Sequence, residues 1–403
     1  MSDAPASPLL DTFRNQPLTD LASFGSIEIV LTFGEPQAEY AAVRKACGLM
    51  DQPHRGLLEL TGKDRHAFLG NLVSNRTWDV ASKTALVAGT GVYAFFLNLK
   101  GRVVADLNVL ELTDRTLIET DVRLIPMLRT VFDKYLFAEK VKLTDLTSTH
   151  VQFALLGPGS IDVLKDFAGV DAIALPSLGS IQTSVDDVPI VAWRDDSLLP
   201  GAPALQLVVP REAAKRLWTT LVDRFGGTDD KRDYGKRRLR PVGWAVFNTC
   251  RIEAGRPILG IDYEPAEPSL PGKKKDADAE DAPASRGVLP VETGQLDRAV
   301  DFNKGCYLGQ EIVARLHARK QVPRKIVGLK MLGEELPTAG AEVFDTAGTQ
   351  VGIVTSSTVS PILSNAALCL ALVKKPNFEI GTTLRVSAEG ALRPASVVET
   401  PFN

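Results

Sequence analysis

Residues 301–319 read Asp-Phe-Asn-Lys-Gly-Cys-Tyr-Leu-Gly-Gln-Glu-Ile-Val-Ala-Arg-Leu-His-Ala-Arg. Gly305 and Gly309 flank Cys306 and give the backbone room for a tight turn. From Gln310 onward, Ile312, Val313 and Leu316 have helical spacing, and Glu311 with Arg315 forms an i,i+4 pair. A helix over Gln310–Arg319 is therefore expected. Cys306 would sit just ahead of its amino end and two residues from Lys304. Both features lower a thiol pKa. A lone cysteine is more often inert core. The residues by themselves leave both readings open.

Around this stretch lies a chain of 403 residues. At roughly 100–200 residues per domain, that is two to four domains. Hydrophobic residues make up 44% and charged residues 24%, which excludes wholesale disorder and fibrous repeats. Charge is nearly balanced at 46 basic against 49 acidic residues, so nothing global points to nucleic acid. No apolar run reaches membrane-spanning length. Four cysteines, at 47, 250, 306 and 369, have neither a disulfide framework's pattern nor zinc-ligand spacing. That suits a reducing compartment. Residues 1–24 lack the basic start and apolar core of a signal peptide, and they are not Arg-rich. They read as a flexible arm on a cytoplasmic protein.

The patterning predicts an α+β layer followed by a second α+β unit. Residues 36–47 and Lys63–Leu72 have helical spacing, and Gly56–Thr61 alternates as a strand. Val92–Leu97 and Val103–Leu112 read as a hairpin around Asn98–Gly101. Residues 121–138 predict an amphipathic helix, and Val141–Leu146 a strand. Strands at Val151–Leu156, Pro189–Trp193 and Leu205–Val209 follow, with helices from Ser160 to Phe167 and over Arg211–Phe225. Lys231–Arg240 is a basic run, a solvated connector or a patch for an anionic partner. Residues 265–287 combine prolines with mixed charge and read as a disordered insertion. Short β-type runs spaced by Gly and Pro predict a barrel from about 321 to the end.

Gly89-Thr90-Gly91-Val92-Tyr93-Ala94 matches a loose dinucleotide fingerprint. That mechanism needs a helix directly after the glycines, and a β-rich run follows instead. The nucleotide reading is rejected. P-loop, HExxH and GxSxG patterns do not occur.

Two further places carry candidate chemistry. Period two puts Val104, Asp106, Asn108 and Leu110 on one face of a strand. Asp106 and Asn108 either face water from an edge strand or floor a pocket. In a pocket the carboxylate would accept N–H groups or hold a cationic nitrogen. Arg251 and Glu253 fall in the last turn of a helix ending at Gly255. Arg251 there either complements the helix dipole or grips a ligand with its planar fork.

Lys304–Glu311 also resembles the KGCYxGQE signature of YgfZ-type folate-binding proteins. These are relatives of the glycine cleavage T-protein (aminomethyltransferase) that serve iron–sulfur cluster maturation or repair. Arg251–Pro257 resembles the RxEAGxP segment of the superfamily, and Gly260-Ile261-Asp262 its GxD. Gly352–Thr355, Ser360-Pro361 and Pro401-Phe402 resemble its C-terminal barrel. The resemblance spans about residues 35–403.

It implies an α+β, three-domain cloverleaf: two interleaved modules, about 25–62 with 148–245 and 63–147 with 246–320, then a barrel over 321–403. It implies tetrahydrofolate as cofactor, with Asp106 facing it and Arg251 in contact, and with Asn108, Glu253, Lys304 and Tyr307 around the site. Cys306 and Asp106 are the expected catalytic residues, and no metal is expected. The partners implied are folate and iron–sulfur client proteins, for a monomer without nucleic acid or membrane. The function so implied is folate binding in iron–sulfur cluster assembly or repair. The alternative is a folate-dependent aminomethyltransferase or a related demethylating transferase. Arg194–Gly201 lacks the T-protein's YTGExG pattern, whose glutamate grips the pterin, and the T-protein lacks the Cys306 motif.

Overall fold

The computed structural model describes residues 5–199, 201–226, 237–271, 287–319 and 322–402. Of the basic run, Lys231, Arg232 and Lys236 lie outside the described residues, as do residues 272–286 of the expected insertion. The chain is mixed α+β. It divides into two compact units that exchange segments: Met1–Arg65, Leu86–Val92 and Asn108–Phe247 in unit 1, and His66–Ala85, Tyr93–Leu107 and Asn248–Asn403 in unit 2. No helix among the described residues is long and apolar enough to cross a membrane.

Unit 1 is built on a six-stranded sheet. Its order is Ser180–Val185, Val188–Arg194, Ala204–Pro210, His150–Leu156, Cys47–Asp51 and Leu239–Pro241. All neighbours are antiparallel except the last pair. The alternation of Val151, Phe153 and Leu155 with Leu205, Leu207 and Val209 makes one face apolar. Helices Ser160–Ala168 and Ala214–Phe225 bury their apolar stripes in the same core, through Leu164, Phe167, Leu217 and Trp218.

The amino terminus is part of this core, which corrects the reading of a flexible arm. Leu10–Arg14 is helical, and Asp20–Phe24 pairs with Ile27–Thr32. Phe13 is buried edge-on to Trp218, ring centroids 5.1 Å apart. Burying a phenylalanine contributes about 2–3 kcal/mol, and the polar composition around it hid the anchor. Residues 121–138 also differ in detail. A 3-10 turn Val122–Leu124 precedes the helix Ile125–Tyr135, which buries Ile125, Leu128, Val131 and Phe132. Gly56 makes room for Ile125, since a Cβ there would lie 2.7 Å from its Cγ1.

Unit 2 ends in a closed barrel. The strand order is Arg324–Met331, Ala366–Lys374, Gln350–Ser360, Glu342–Phe344, Thr383–Ala388 and Ala391–Val398. Closure removes the unpaired edges that an open sheet would expose. Against Ala366–Lys374, a bulge interrupts Gln350–Ser360 between Val354 and Ser356. Unit 2 also holds the hairpin turn at Asn98–Gly101, the end of helix Trp244–Glu253 and helix Gln310–Arg319.

Glu39 shows how unit 1 is pinned. Its side chain is fully buried and accepts from Thr32 Oγ1 at 2.6 Å, Phe33 N at 2.7 Å and Gly243 N at 2.8 Å. Glu39→Ala strands these three donors. The variant is expected to lose about 3 kcal/mol or more of stability, read as a lowered urea midpoint.

Candidate functional site

Asp106 is the only one of the nine residues of Val103–Glu111 that is not buried. An edge strand with polar positions facing water would alternate, so that reading fails. The carboxylate accepts a hydrogen bond from the Tyr93 hydroxyl at 3.1 Å. Burial, then the Asp106 charge, holds that hydroxyl well above the ordinary tyrosine range, so it remains a donor. The Arg298 guanidinium lies over the Tyr93 ring, 4.0 Å from its centroid, and Arg256 is close enough to act on the same hydroxyl. Tyr263 is buried beside them. Burial, then Tyr93 and Asp106, push its hydroxyl well above its usual range. The result is a partly open carboxylate between two neutral phenols, with arginines nearby.

Behind this group lies a buried ion pair. Arg251 Nη1 donates to Asp262 Oδ2 at 2.6 Å, and both side chains are wholly buried. Arg251 also donates from Nε to Asn248 at 2.9 Å and from Nη1 to the Arg256 carbonyl at 3.2 Å. Its Nη2 meets no partner among the described residues. Asp262 Oδ2 further accepts from Ile258 N, and Oδ1 from the Thr355 and Ser356 hydroxyls. Adjacent strand residues normally point to opposite faces. The bulge at this point lets Thr355 and Ser356 reach one oxygen. Arg251 therefore acts mainly as a positioning residue. It holds Asp262 and, one residue on, Tyr263. Glu253 is buried too and accepts from Ser360 Oγ at 2.5 Å.

The Cys306 loop is arranged differently from expectation. Cys306 is exposed, whereas Cys47, Cys250 and Cys369 are buried free thiols. Burial pushes Cys47 and Cys369 up to about 12. The helix begins at Gln310, so Cys306 lies beyond the first turn, where the dipole acts. Lys304 is not simply poised over the thiol. Its ammonium donates to the Gly70 and Val73 carbonyls at 2.7 and 2.5 Å. Burial lowers it to about 8. Lys304 thus ties the loop to the end of helix Arg65–Leu72, with Tyr307 beneath it at 4.8 Å. Gly309, at φ +80°, approaches the hairpin so closely that a Cβ would lie 2.5 Å from the Asn98 carbonyl oxygen.

Asn108 does not join this group. It belongs to unit 1, where it is buried and donates to Glu119 at 2.8 Å. Glu119 is gripped by both arms of Arg55 at 2.5 and 2.6 Å.

Unit 1 holds polar residues that the sequence reading missed. Ser180, Trp193, Gln206 and Ala154 form one row across the six-stranded sheet, on the face away from the helices. Ser180 Oγ, Trp193 Nε1 and Gln206 Oε1 are buried without a hydrogen-bond partner among the described residues. Each such group costs about 1–3 kcal/mol if nothing meets it. Three in one row mark a face built for polar company. In the sequence, Gln206 interrupts an otherwise apolar strand, and that was the available signal.

The whole chain resembles known proteins. Residues 20–270 match the GCVT N-terminal domain model, and residues 324–403 the glycine cleavage T-protein C-terminal barrel domain model. An aminomethyltransferase of Saccharopolyspora erythraea is 26% identical over 381 residues, covering 94% of this chain and 93% of its own. One from Geobacillus sp. (strain WCH70) is 27% identical with the same coverage. The crystal structure of glycine cleavage system aminomethyltransferase T from Bartonella henselae has the same fold. Its TM-score is 0.81 at 22% identity, over 100% of this chain and 98% of that one.

These matches correct the reading as a folate-binding factor of iron–sulfur cluster assembly, and with it the iron–sulfur clients. That reading rested on the Lys304–Glu311 motif and on the missing YTGExG pattern at Arg194–Gly201. The relatives named aminomethyltransferase extend over 94% of the chain. The loop's lysine and Gly309 have packing roles that require no activated thiol.

Two measurements check this geometry. Ellman's reagent is expected to titrate one thiol in the native protein and all four in denaturant. Arg251→Met is expected to destabilise by about 3–5 kcal/mol in urea unfolding, because it leaves the buried Asp262 charge unpaired.

Proposed function

The chain belongs to the glycine cleavage T-protein family, and from that premise we propose that it is a folate-dependent aminomethyltransferase. Its acceptor would be tetrahydrofolate, two of whose nitrogens form bonds to the one-carbon unit while that carbon's bonds to the amine and to the carrier sulfur break, releasing ammonia and the free carrier thiol. The observation that supports this reading most is Asp106, the one open position of a buried strand. Its carboxylate, oriented by Tyr93, can accept an N–H from the folate nitrogen and stabilise positive charge developing there. It acts by orientation and electrostatics rather than by forming a bond.

The other residues take supporting parts. Tyr93 donates to the carboxylate, and Tyr263 lies beside it. Arg298 and Arg256 provide positive charge near the same point. Of Arg251, only the unmatched Nη2 is left for a ligand. In unit 1 the unmet groups of Ser180, Trp193 and Gln206 fit the edge of a neutral, polar heterocycle such as a pterin. The module boundaries inferred from the sequence belong to this proposal. So does a finer placement toward the YgfZ-type branch of the family, which rests on Lys304–Glu311.

The test uses purified protein, an aminomethyl-loaded lipoyl carrier protein and tetrahydrofolate. Methylene-tetrahydrofolate is expected to form. Asp106→Asn is expected to lower kcat by about 10²-fold or more, with a much smaller change in tetrahydrofolate affinity. Intact folate binding without any methylene-tetrahydrofolate removes the transferase reading.

A further inference from the structure

Unit 1 contains a cavity of about 260 Å³ that the transferase reading does not use. It lies against the same sheet face as the polar row, one row further along. Val191 and Val208, a directly opposed pair, are part of its lining, and Gln182 opposes Val191. Leu117, from strand Thr116–Asp121, and Leu146, just past strand Lys142–Asp145, add apolar surface. The next residue in this row after Val208 is Gln152. It is 1% exposed, and both Nε2 and Oε1 lack a partner. Directly opposed side chains on a sheet stand about 5 Å apart, so an unmet amide borders the valine lining.

The charged groups of the cavity are one cation and one carboxylate. Arg115 Nε and Glu59 Oε2 are 3.3 Å apart, and both line the space. Arg115 Nη1 also pairs with Asp114 at 3.2 Å. A simple anion would therefore meet a cation already matched by two carboxylates. A simple cation taking Glu59 would leave Arg115 with Asp114 alone. A zwitterion answers both halves at once, and no charge is left unpaired. The apolar lining calls for an aliphatic body. The volume is below the range of about 300–1,000 Å³ typical of drug-sized ligands.

We infer that this cavity binds a small aliphatic L-amino acid, its carboxylate on Arg115, its ammonium on Glu59 and its side chain over Val191, Val208, Leu117 and Leu146. Gln152 supplies an amide donor and acceptor at the border. His150, also in the lining, is held below its ordinary range by burial and then by Arg115, so it adds no competing charge near neutral pH. The proposal stands on unit 1 alone and does not depend on aminomethyl transfer.

The experiment titrates the full chain with L-leucine by ligand-observed NMR. The same titration is run with 4-methylpentanoate, which lacks the ammonium, and 3-methylbutylamine, which lacks the carboxylate. L-leucine is expected to saturate, and each partial probe to bind about tenfold or more weakly. Val208→Phe is expected to abolish saturation by filling the cavity. Arg115→Gln leaves the packed lining untouched and is expected to weaken L-leucine about tenfold or more. Near-UV circular dichroism confirms that each variant is folded. No saturation by L-leucine at millimolar concentration overturns the proposal. So does equal binding of all three probes, or unchanged binding in folded Arg115→Gln.

Discussion

The pairing of Arg251 with Asp262 is the constraint on which unit 2 turns. Both charges are out of water, so each depends on the other. A buried ion pair is weak evidence for net stability, because desolvation offsets most of the Coulomb attraction. Its consequence here is geometric. Asp262 spends its oxygens on Arg251, on a backbone amide of its own turn and on two barrel hydroxyls. One carboxylate thus ties together the end of a helix, a turn and a barrel strand. Tyr263 follows directly, and its placement beside Tyr93 and Asp106 is inherited from that knot. The barrel bulge belongs to the same device, since a regular strand would offer Asp262 only one of its two hydroxyls.

The six-stranded sheet of unit 1 faces a different demand. Helices cover one face, and the other is buried as well. A sheet buried on both faces normally reads as a nearly continuous apolar run, as Val188–Arg194 mostly does. Glutamines and a serine on the second face break this rule, and several of their polar atoms meet no partner among the described residues. A sequence violates such a rule locally where something other than folding is served. The two consecutive rows differ in kind. One offers hydrogen-bond groups alone, and the other joins an amide to an apolar floor and an ion pair.

Much of this was legible in the sequence, for identifiable reasons. Strand and helix positions follow from hydrophobic period, and the long runs in both units fall close to where the period places them. Asp106 was legible because a carboxylate in an apolar strand needs an explanation. Its partners were not. Tyr93 sits in a run of aromatics that reads as core, and Tyr263 lies in a turn without periodicity. Arg251 pairs with a residue 11 positions away, so its environment is set by tertiary packing. The dipole argument for a helix-end arginine is correct in general and describes a lesser effect here. The anchored amino terminus escaped for a related reason. Leu9, Leu10 and Phe13 are too few to give a period, although each is deeply buried. Around Cys306 the local features were legible as types, but their contacts were not. The lysine reaches the Gly70 and Val73 carbonyls, and Gly309 packs on the hairpin turn.

That last point links the loop to Asp106. A carboxylate that works by orientation depends on the stiffness of its strand, and a misplacement of about 1 Å can cost 10²-fold in rate. Asp106 sits in the second strand of a hairpin, only a few residues past the turn. That turn is not left to solvent. Asn98 caps it from within, accepting from Lys100 N and Arg102 N at 3.0 Å each. The Gly309 backbone presses on it at a separation only glycine permits, and Ile312 of the following helix lies against Gly101. Lys304 holds the other end of the same loop through two carbonyls. The motif that looked like the surroundings of a nucleophile is, in its contacts, a clamp on the strand that carries the carboxylate.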